Sequence, residues 1–309
     1  MPDALLARAL RSAGLCDDRL TRAASAANEV WLGRRYVVKI GTGRFRDSLR
    51  HERRVLAALS ADVPHPVPVA DGRTDGRDWL VLQRLPGAPL SQVWPDLDQT
   101  ARARVADEIA AGIGALHATP RPETFGNPWL TDALESRPAD LYHAPPDRSG
   151  LLIDATRGIL DHGLLDDLAA ALLAVRPVFS GDRMVLAHTD LHATNILLEG
   201  SRLTGFLDFE GARPAAADQE LDALIRFSGD DPDLSPLTEA EKGLRAPGLS
   251  RLVLESSSIR AAGLERPHER ERLATHAILW LLVQALNLPP HVRGTIEKQL
   301  RILLARLLK

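Results

Sequence analysis

The run His188-Thr-Asp190-Leu-His-Ala-Thr-Asn195, with Asp208-Phe-Glu210 after it, holds the side chains of this chain best suited to chemistry. The pattern is H-x-D-x-x-x-x-N followed by a second acid. A carboxylate, a carboxamide five residues beyond it and a second carboxylate across a hairpin are the groups a phosphoryl-transfer centre needs. One polarises an acceptor hydroxyl, and the other two are oxygen donors for Mg²⁺ held against nucleotide phosphates. Short apolar runs flank them: Met184 to Ala187, Ile196 to Leu198 and Leu203 to Leu207. Runs of that length predict buried strands, which leaves the polar residues in loops aimed by a rigid scaffold.

Lys39 is the second informative position. The chain has only four lysines, and Lys242, Lys298 and Lys309 fall in loop or helical settings, whereas Lys39 lies inside an apolar strand between Val38 and Ile40. An ammonium there could act as a point charge on phosphate, or could simply face solvent beside Val37. Glu52 favours the first reading. It falls within the apolar stripe 45, 49, 52, 56, 59 of a predicted helix, and a carboxylate among core-facing positions needs a partner. A strand lysine paired with a helix glutamate is the arrangement by which protein kinases hold the α- and β-phosphates.

The elements that must position these groups divide the chain unequally. Glu29 to Leu32 and Arg35 to Ile40 predict a hairpin through Gly33-Arg34. A helix follows over roughly Phe45 to Leu59, with Thr42 as a candidate cap. Val67 to Ala70 and Trp79 to Leu82 predict two more strands across a turn-rich Asp71 to Asp78. The stretch Arg84-Leu-Pro86-Gly-Ala-Pro89 reads as a linker free of regular structure. Beyond it, Leu97 to His117, Leu249 to Ala262, Pro267 to Leu286 and Val292 to Leu308 predict helices, with Pro267 suited to a first helical position. Pro120 to Pro146 reads as an irregular connection.

With 309 residues, 45% hydrophobic and 26% charged, the chain has the composition of a soluble globular protein of one large domain or two lobes. No apolar run reaches membrane-spanning length, no secretory signal is evident, and the solitary Cys16 suits the cytoplasm and is read as a packing residue. A net charge of −3 argues against nucleic acid as a partner. Residues 1–85 carry 15 Lys and Arg against 10 Asp and Glu, and the remainder 23 against 31. A basic first part and an acidic second part suit an anionic nucleotide and a cationic co-substrate, although two solvated surfaces of unequal composition explain the same numbers. Asp218, Glu220, Asp222, Asp230, Asp231 and Asp233 are the acids that could attract such a co-substrate.

As a set, these motifs resemble the aminoglycoside phosphotransferase family, relatives of choline kinases and distant cousins of protein kinases. The resemblance spans roughly residues 20 to 228. It rests on Val37-Val-Lys39-Ile, Glu52, Leu80-Val-Leu-Gln-Arg-Leu-Pro-Gly87, His188 to Asn195 and Leu207-Asp208-Phe-Glu210. It implies an α+β, bilobal protein-kinase-like fold: a small β-rich N-lobe over residues 1–85 and a larger, mainly helical C-lobe over 86–309. It implies ATP and Mg²⁺ as cofactors and a small-molecule hydroxyl as acceptor, an aminoglycoside-type antibiotic or amino sugar first and a metabolic sugar or amino alcohol second.

By the same resemblance Asp190 is the catalytic base or hydroxyl-orienting carboxylate, and Asn195 and Asp208 are the Mg²⁺ ligands. Lys39 and Glu52 serve the phosphates, Gln83 and Leu85 belong to the adenine-binding hinge, and Ser25 lies in the loop over the phosphates. His188 bonds backbone near Asp208, whereas His192, Asp218, Glu220 and Asp222 receive no role. There is no Walker A sequence. Two rival classes leave residues unexplained or lack support: a metallohydrolase built on His188, Asp190 and His192 ignores Lys39 and Glu52, and nothing in the sequence marks a pseudokinase binding module.

Overall fold

The computed structural model describes residues 4–15, 19–23, 25, 28–42, 47–120, 149–182, 184–231, 233, 234, 236–261 and 268–309. The N-terminal part is a helix, α1 (Ala4–Ser12), then β1 (Thr21–Ala23), β2 (Asn28–Leu32), β3 (Tyr36–Gly41), a second helix α2 (Ser48–Ala58), β4 (Pro68–Thr74) and β5 (Arg77–Gln83). The strands form one antiparallel sheet in the order β1-β2-β3-β5-β4. The expected hairpin is present, closed where the Gly33 N–H donates to the Tyr36 carbonyl. The turn-rich stretch proves shorter than expected. Strands continue to Thr74 and from Arg77, and only Asp75 and Gly76, both at positive φ, make the turn.

Both faces of this sheet are covered. On one, Val38, Ile40, Trp79 and Val81 pack against Leu5, Leu6 and Ala9 of α1, a helix that strand patterning gave no reason to expect. On the other, Leu80 and Leu82 meet Leu49, Val55 and Leu56 of α2. Lys39 shares the second face, opposite Leu80 in register, so it cannot be an ordinary solvent-facing lysine. α2 begins at Ser48 after Asp47, so Thr42 is not its cap, and Phe45 lies outside the described residues.

The chain leaves β5 through residues 84–87. Gly87 sits at φ +101°, and a Cβ there would lie 2.1 Å from the Leu198 carbonyl oxygen, so only glycine lets the segment pass so close. It enters β6 (Ala88–Pro89), which corrects the reading of Pro89 as outside regular structure: this short edge strand tolerates a proline without an N–H. After α3 (Leu90–Val93) comes α4 (Gln99–Ala118), capped by the Asp98 side chain on the Ala101 N–H.

Two helices that the periodicity did not single out follow, α5 (Ser149–Thr156) and α6 (His162–Val175). The expected strands are β7 (Val185–Ala187), β8 (Ile196–Glu199) and β9 (Arg202–Phe206), and β10 (Arg213–Ala215) returns to pair with β7. β6, β8 and β9 form the other small sheet.

The remainder is helical: α7 (Gln219–Ser228), α8 (Glu239–Lys242), α9 (Leu249–Glu255), α10 (Ser257–Ala261), α11 (Glu269–Asn287) and α12 (Arg293–Leu307). The single helix expected over 249–262 is two, broken at Ser256, whose hydroxyl bonds Asp107. Cys16, Pro267 and the connection expected from Pro120 to Pro146, Pro120 apart, lie outside the described residues.

One apolar core runs from α2 and β5 through α4 to α7 and α9, tying the sheet to the helical part, and a second joins α5, α6, α11 and α12. No helix among the described residues is long and apolar enough to cross a membrane. Beneath a five-stranded sheet with its one inner helix sits a larger, mainly helical body, the bilobal kinase-like arrangement.

Candidate active site

The Lys39 ammonium reaches three carboxylates at once: Glu52 Oε2 at 2.7 Å, Glu210 Oε1 at 2.8 Å and Asp208 Oδ1 at 2.9 Å. Each comes from a different constraint. β3 delivers Lys39, the inner stripe of α2 delivers the fully buried Glu52, and the segment after β9 delivers Asp208 and Glu210. The other Glu52 oxygen accepts the Phe209 N–H at 3.2 Å, and His51 Nε2 bonds the Ala212 carbonyl, so α2 is fastened to that segment at two further points. Asn28, at the start of β2, donates to Glu210 and brings the strand edge over the cluster. The sequence places Glu210 in the Asp208 run and Asn28 at the end of the loop from Ser25, but does not show that the two meet or that Glu210 reaches Lys39.

Burial disfavours the Lys39 charge, yet Asp208, Glu210 and Glu52 outweigh it and hold its pKa well above the ordinary lysine value. Burial would raise Asp208, and Lys39 turns the balance so that it lies below the usual range. Three carboxylates around one ammonium leave surplus negative charge, and burial pushes Glu52 and Glu210 upward. Glu52, Asp208 and Glu210 present oxygens within 4.8 Å of one another. Asp208, held ionised below the usual range and partly exposed, is a hard oxygen donor of the kind Mg²⁺ takes, so the residues present fit that ion.

The run His188 to Asn195 lies between β7 and β8. Thr189 and Asp208 both take left-handed backbone conformations, φ 67° and φ 66°, which cost about 1–3 kcal/mol each and need external support. Glu220 supplies it for the first. Its buried carboxylate accepts the His188 N–H at 2.7 Å and the Thr189 N–H at 3.0 Å, with His117 3.4 Å away. The Thr189 hydroxyl donates to Gly211 and accepts from buried Arg213 at 2.6 Å, which joins this loop to the Asp208 segment. His188 Nε2 bonds the Leu207 carbonyl at 2.7 Å, as expected for a histidine bracing backbone beside Asp208. Among the described residues the acid and imidazole ligand atoms that converge are those of Glu52, Asp208 and Glu210, and His188, Asp190 and His192 form no such group, which removes the metallohydrolase reading.

Asp190 follows this braced pair, its carboxyl pushed up to about 7 by burial and by Asp208, with His188 and Arg226 pulling the other way. A carboxylate poised near neutrality can take a hydroxyl proton. Asn195 Nδ2 donates to the Asp190 carbonyl at 3.0 Å, and the Leu207 N–H donates to the Asn195 backbone carbonyl at 2.8 Å, so Asn195 lies across from Leu207, the residue before Asp208. Burial pushes His192 down to about 4 and keeps it neutral.

The remaining expected positions are peripheral. Gln83 ends β5 with an exposed side chain and its N–H on the Val67 carbonyl. Leu85 lies against Gly205, where a Cβ would come within 2.2 Å of its Cδ1. Ser25 is exposed between β1 and β2. The six acids considered for a cationic co-substrate are engaged internally. Asp218 pairs with Arg272, Glu220 braces the loop, Asp222 pairs with Arg226, Asp230 holds Gly248 and Ser250, and Asp231 and Asp233 hold Arg306. These six acids are therefore architectural.

A lysine variant tests the cluster. Lys39→Met should weaken nucleotide binding about ten- to a hundredfold, the loss of a charge-assisted contact. Its own melting temperature should also fall, because Glu52 stays buried without its cation. The thermal shift given by a nucleotide analogue, measured from each protein's own baseline, should shrink; an unchanged shift removes Lys39 from the site.

Known proteins resemble the chain in sequence and in fold. An aminoglycoside 3′-phosphotransferase of Streptomyces ribosidificus is 30% identical over 179 residues, 54% of this chain and 60% of that protein. One of Niallia circulans is 27% identical over 202 residues, 61% of this chain and 68% of that protein. The first alignment thus spans less than two thirds of the relative's length.

Among solved structures, the streptomycin–ATP ternary complex of APH(2″)-IIa superposes with a TM-score of 0.64 at 15% identity, covering 99% of this chain and 96% of that one. An aminoglycoside-3′-phosphotransferase of type VIII gives 0.58 at 21% identity, covering 92% and 99%. These are likenesses of fold. A model of the phosphotransferase enzyme family matches residues 20–252, well over half of the chain. The protein belongs to the phosphotransferase enzyme family.

Proposed function

We propose that the protein transfers the γ-phosphate of ATP to a hydroxyl of a small cationic acceptor of the aminoglycoside type. The observation that carries the reading is the Lys39 ammonium set among Glu52, Asp208 and Glu210, on a segment joined through Thr189 to the loop of Asp190. In this reading residues 1–85 form the nucleotide lobe and 86–309 the catalytic and acceptor lobe. Lys39, fixed by Glu52, neutralises phosphate oxygens. The hinge at Gln83 and Leu85 takes the adenine, and Ser25 belongs to the loop over the phosphates. Asn195 and Asp208 hold Mg²⁺, which when bound supplies further charge neutralisation at the phosphates. Asp190 orients the acceptor hydroxyl and receives its proton as the oxygen bonds to phosphorus. A cytoplasmic setting, where ATP is supplied, accords with that chemistry.

The names of the relatives support an aminoglycoside acceptor. The internal engagement of the six acids favours a second reading, a neutral sugar or amino alcohol, because those carboxylates are not available to bind ammonium groups. Incubation with ATP, Mg²⁺ and a panel of aminoglycosides, sugars and amino alcohols, followed by mass spectrometry, decides between them. Phosphate gained by a cationic compound is the expected result. Phosphorylation of neutral compounds alone would overturn the acceptor class and leave the kinase reading standing.

A further inference from the structure

His192 is the polar residue of the catalytic-loop run to which neither the sequence nor the reaction assigns a task. We infer that it is a positioning residue that fixes which end of the Asn195 carboxamide faces the cation. The inference rests on the proposed role of Asn195 as a Mg²⁺ ligand. A carboxamide has an oxygen that can bind a cation and an NH₂ that cannot, and a half-turn about its last bond exchanges them.

Here Nδ2 donates to the Asp190 carbonyl at 3.0 Å and lies 3.3 Å from His192 Nε2. Reversed, the oxygen would face a carbonyl oxygen and a ring lone pair, both repulsive. For Nε2 to accept, a neutral imidazole must carry its hydrogen on Nδ1, and Nδ1 lies 2.8 Å from the Thr194 hydroxyl, which can accept it. The Asp190 carbonyl, an acceptor only, holds Nδ2 on the ring's side, the Nδ1–H tautomer lets Nε2 accept from it as well, and the Thr194 hydroxyl takes the Nδ1 hydrogen in that state.

Asp190 Oδ2 is 3.8 Å from Nε2, beyond hydrogen-bond reach, so Asn195 is the partner of that nitrogen. The loop itself fixes the separation. The His192 N–H donates to the Asp190 carbonyl at 3.1 Å and the Asn195 N–H to the His192 carbonyl at 2.8 Å, so ring and amide ride on one tight turn. The ring of Phe227 meets the imidazole edge-on, centroids 5.5 Å apart at 87°, and backs it from α7.

The test is a Mg²⁺ titration of the binding of a non-hydrolysable ATP analogue, followed by thermal shift, in the parent and in His192→Ala, His192→Gln, Thr194→Val and Asn195→Ala. His192→Ala should raise the Mg²⁺ concentration at half-effect by about tenfold or more, the usual consequence of removing a group that orients a ligand. His192→Gln, which can offer an acceptor oxygen at similar reach, should recover most of the loss, and Thr194→Val should cause a smaller rise. A lower melting temperature with an unchanged Mg²⁺ midpoint in His192→Ala would make the residue merely structural and overturn the inference. If Asn195→Ala shifts the midpoint and His192→Ala does not, the inference fails while the ligand assignment stands. If Asn195→Ala also leaves it unchanged, the ligand assignment fails and takes the inference with it.

Discussion

Asp190→Asn should lower turnover by about 10²- to 10⁴-fold while nucleotide affinity stays near that of the parent. The carboxylate lies in the loop braced by Glu220 and Arg213, and an isosteric amide keeps that loop's backbone bonds, all of which go to other groups. What disappears is an acceptor for the hydroxyl proton, which matters in the transition state and not in nucleotide binding. Asp208→Ala should behave differently. It removes a carboxylate from the Lys39 cluster, so Mg²⁺-dependent nucleotide binding itself should be lost. Single-turnover kinetics and analogue binding on both variants separate the two. Equal defects in both measurements would show that the division of labour between Asp190 and Asp208 is wrong.

The largest effect on stability is expected at Asp218. Its carboxylate takes two bonds of 2.8 Å from Arg272, which is itself fully buried, bonds Asp182 and the Val178 carbonyl, and lies over the Phe179 ring; His276 stands 3.4 Å away. Asp218→Ala leaves that guanidinium short of its main counter-charge, at a cost of about 3–5 kcal/mol. The loss should be largest near neutral pH. Burial alone would raise the Asp218 pKa, but the bonds from His276 and Arg272 hold it well below the carboxylate range. A depressed folded-state pKa gives stability that is complete above the unfolded value, near 4 by roughly the model-peptide figure, and drains away as pH falls through the folded value. Urea unfolding of parent and variant should therefore differ by a constant amount down to about pH 4 and converge below it. A gap that widens on acidification would contradict this account.

How much of this was legible in advance depended on the range of each interaction. Lys39 and Glu52 could be found because each breaks a local apolar pattern, and the pattern states which face it shares. The catalytic loop was legible because its spacing is set within a few residues and bounded by apolar strands. Glu220, Asp218 and Asp222 were unreadable for a geometric reason. Two residues apart on one helix, they point in different directions, and their partners, His188, Arg272 and Arg226, lie on three different elements. Arg213 was missed likewise, and so was the contact of Asn28 with Glu210, since nothing near them in sequence announces Thr189 or Glu210. α1 escaped because the apolar face of Val38, Ile40, Trp79 and Val81 calls for a cover without naming the segment that supplies it.

The fastening of α2 to the Asp208 segment has a consequence for how such a protein can be governed. Kinases that are switched on and off often do so by rolling this helix outward, which parts the lysine from its glutamate. Here that motion would break the Lys39–Glu52 contact, the Phe209 N–H bond and the His51–Ala212 bond together, all in the interior. At about 1–3 kcal/mol for each buried group left unsatisfied, the rolled-out state would be rare. The same contacts join α2 and β3 to the Asp208 segment beyond residues 84–87, so they also hold the two halves of the molecule together. A protein made this way has no idling gear at α2, whose release would cost every one of those contacts at once.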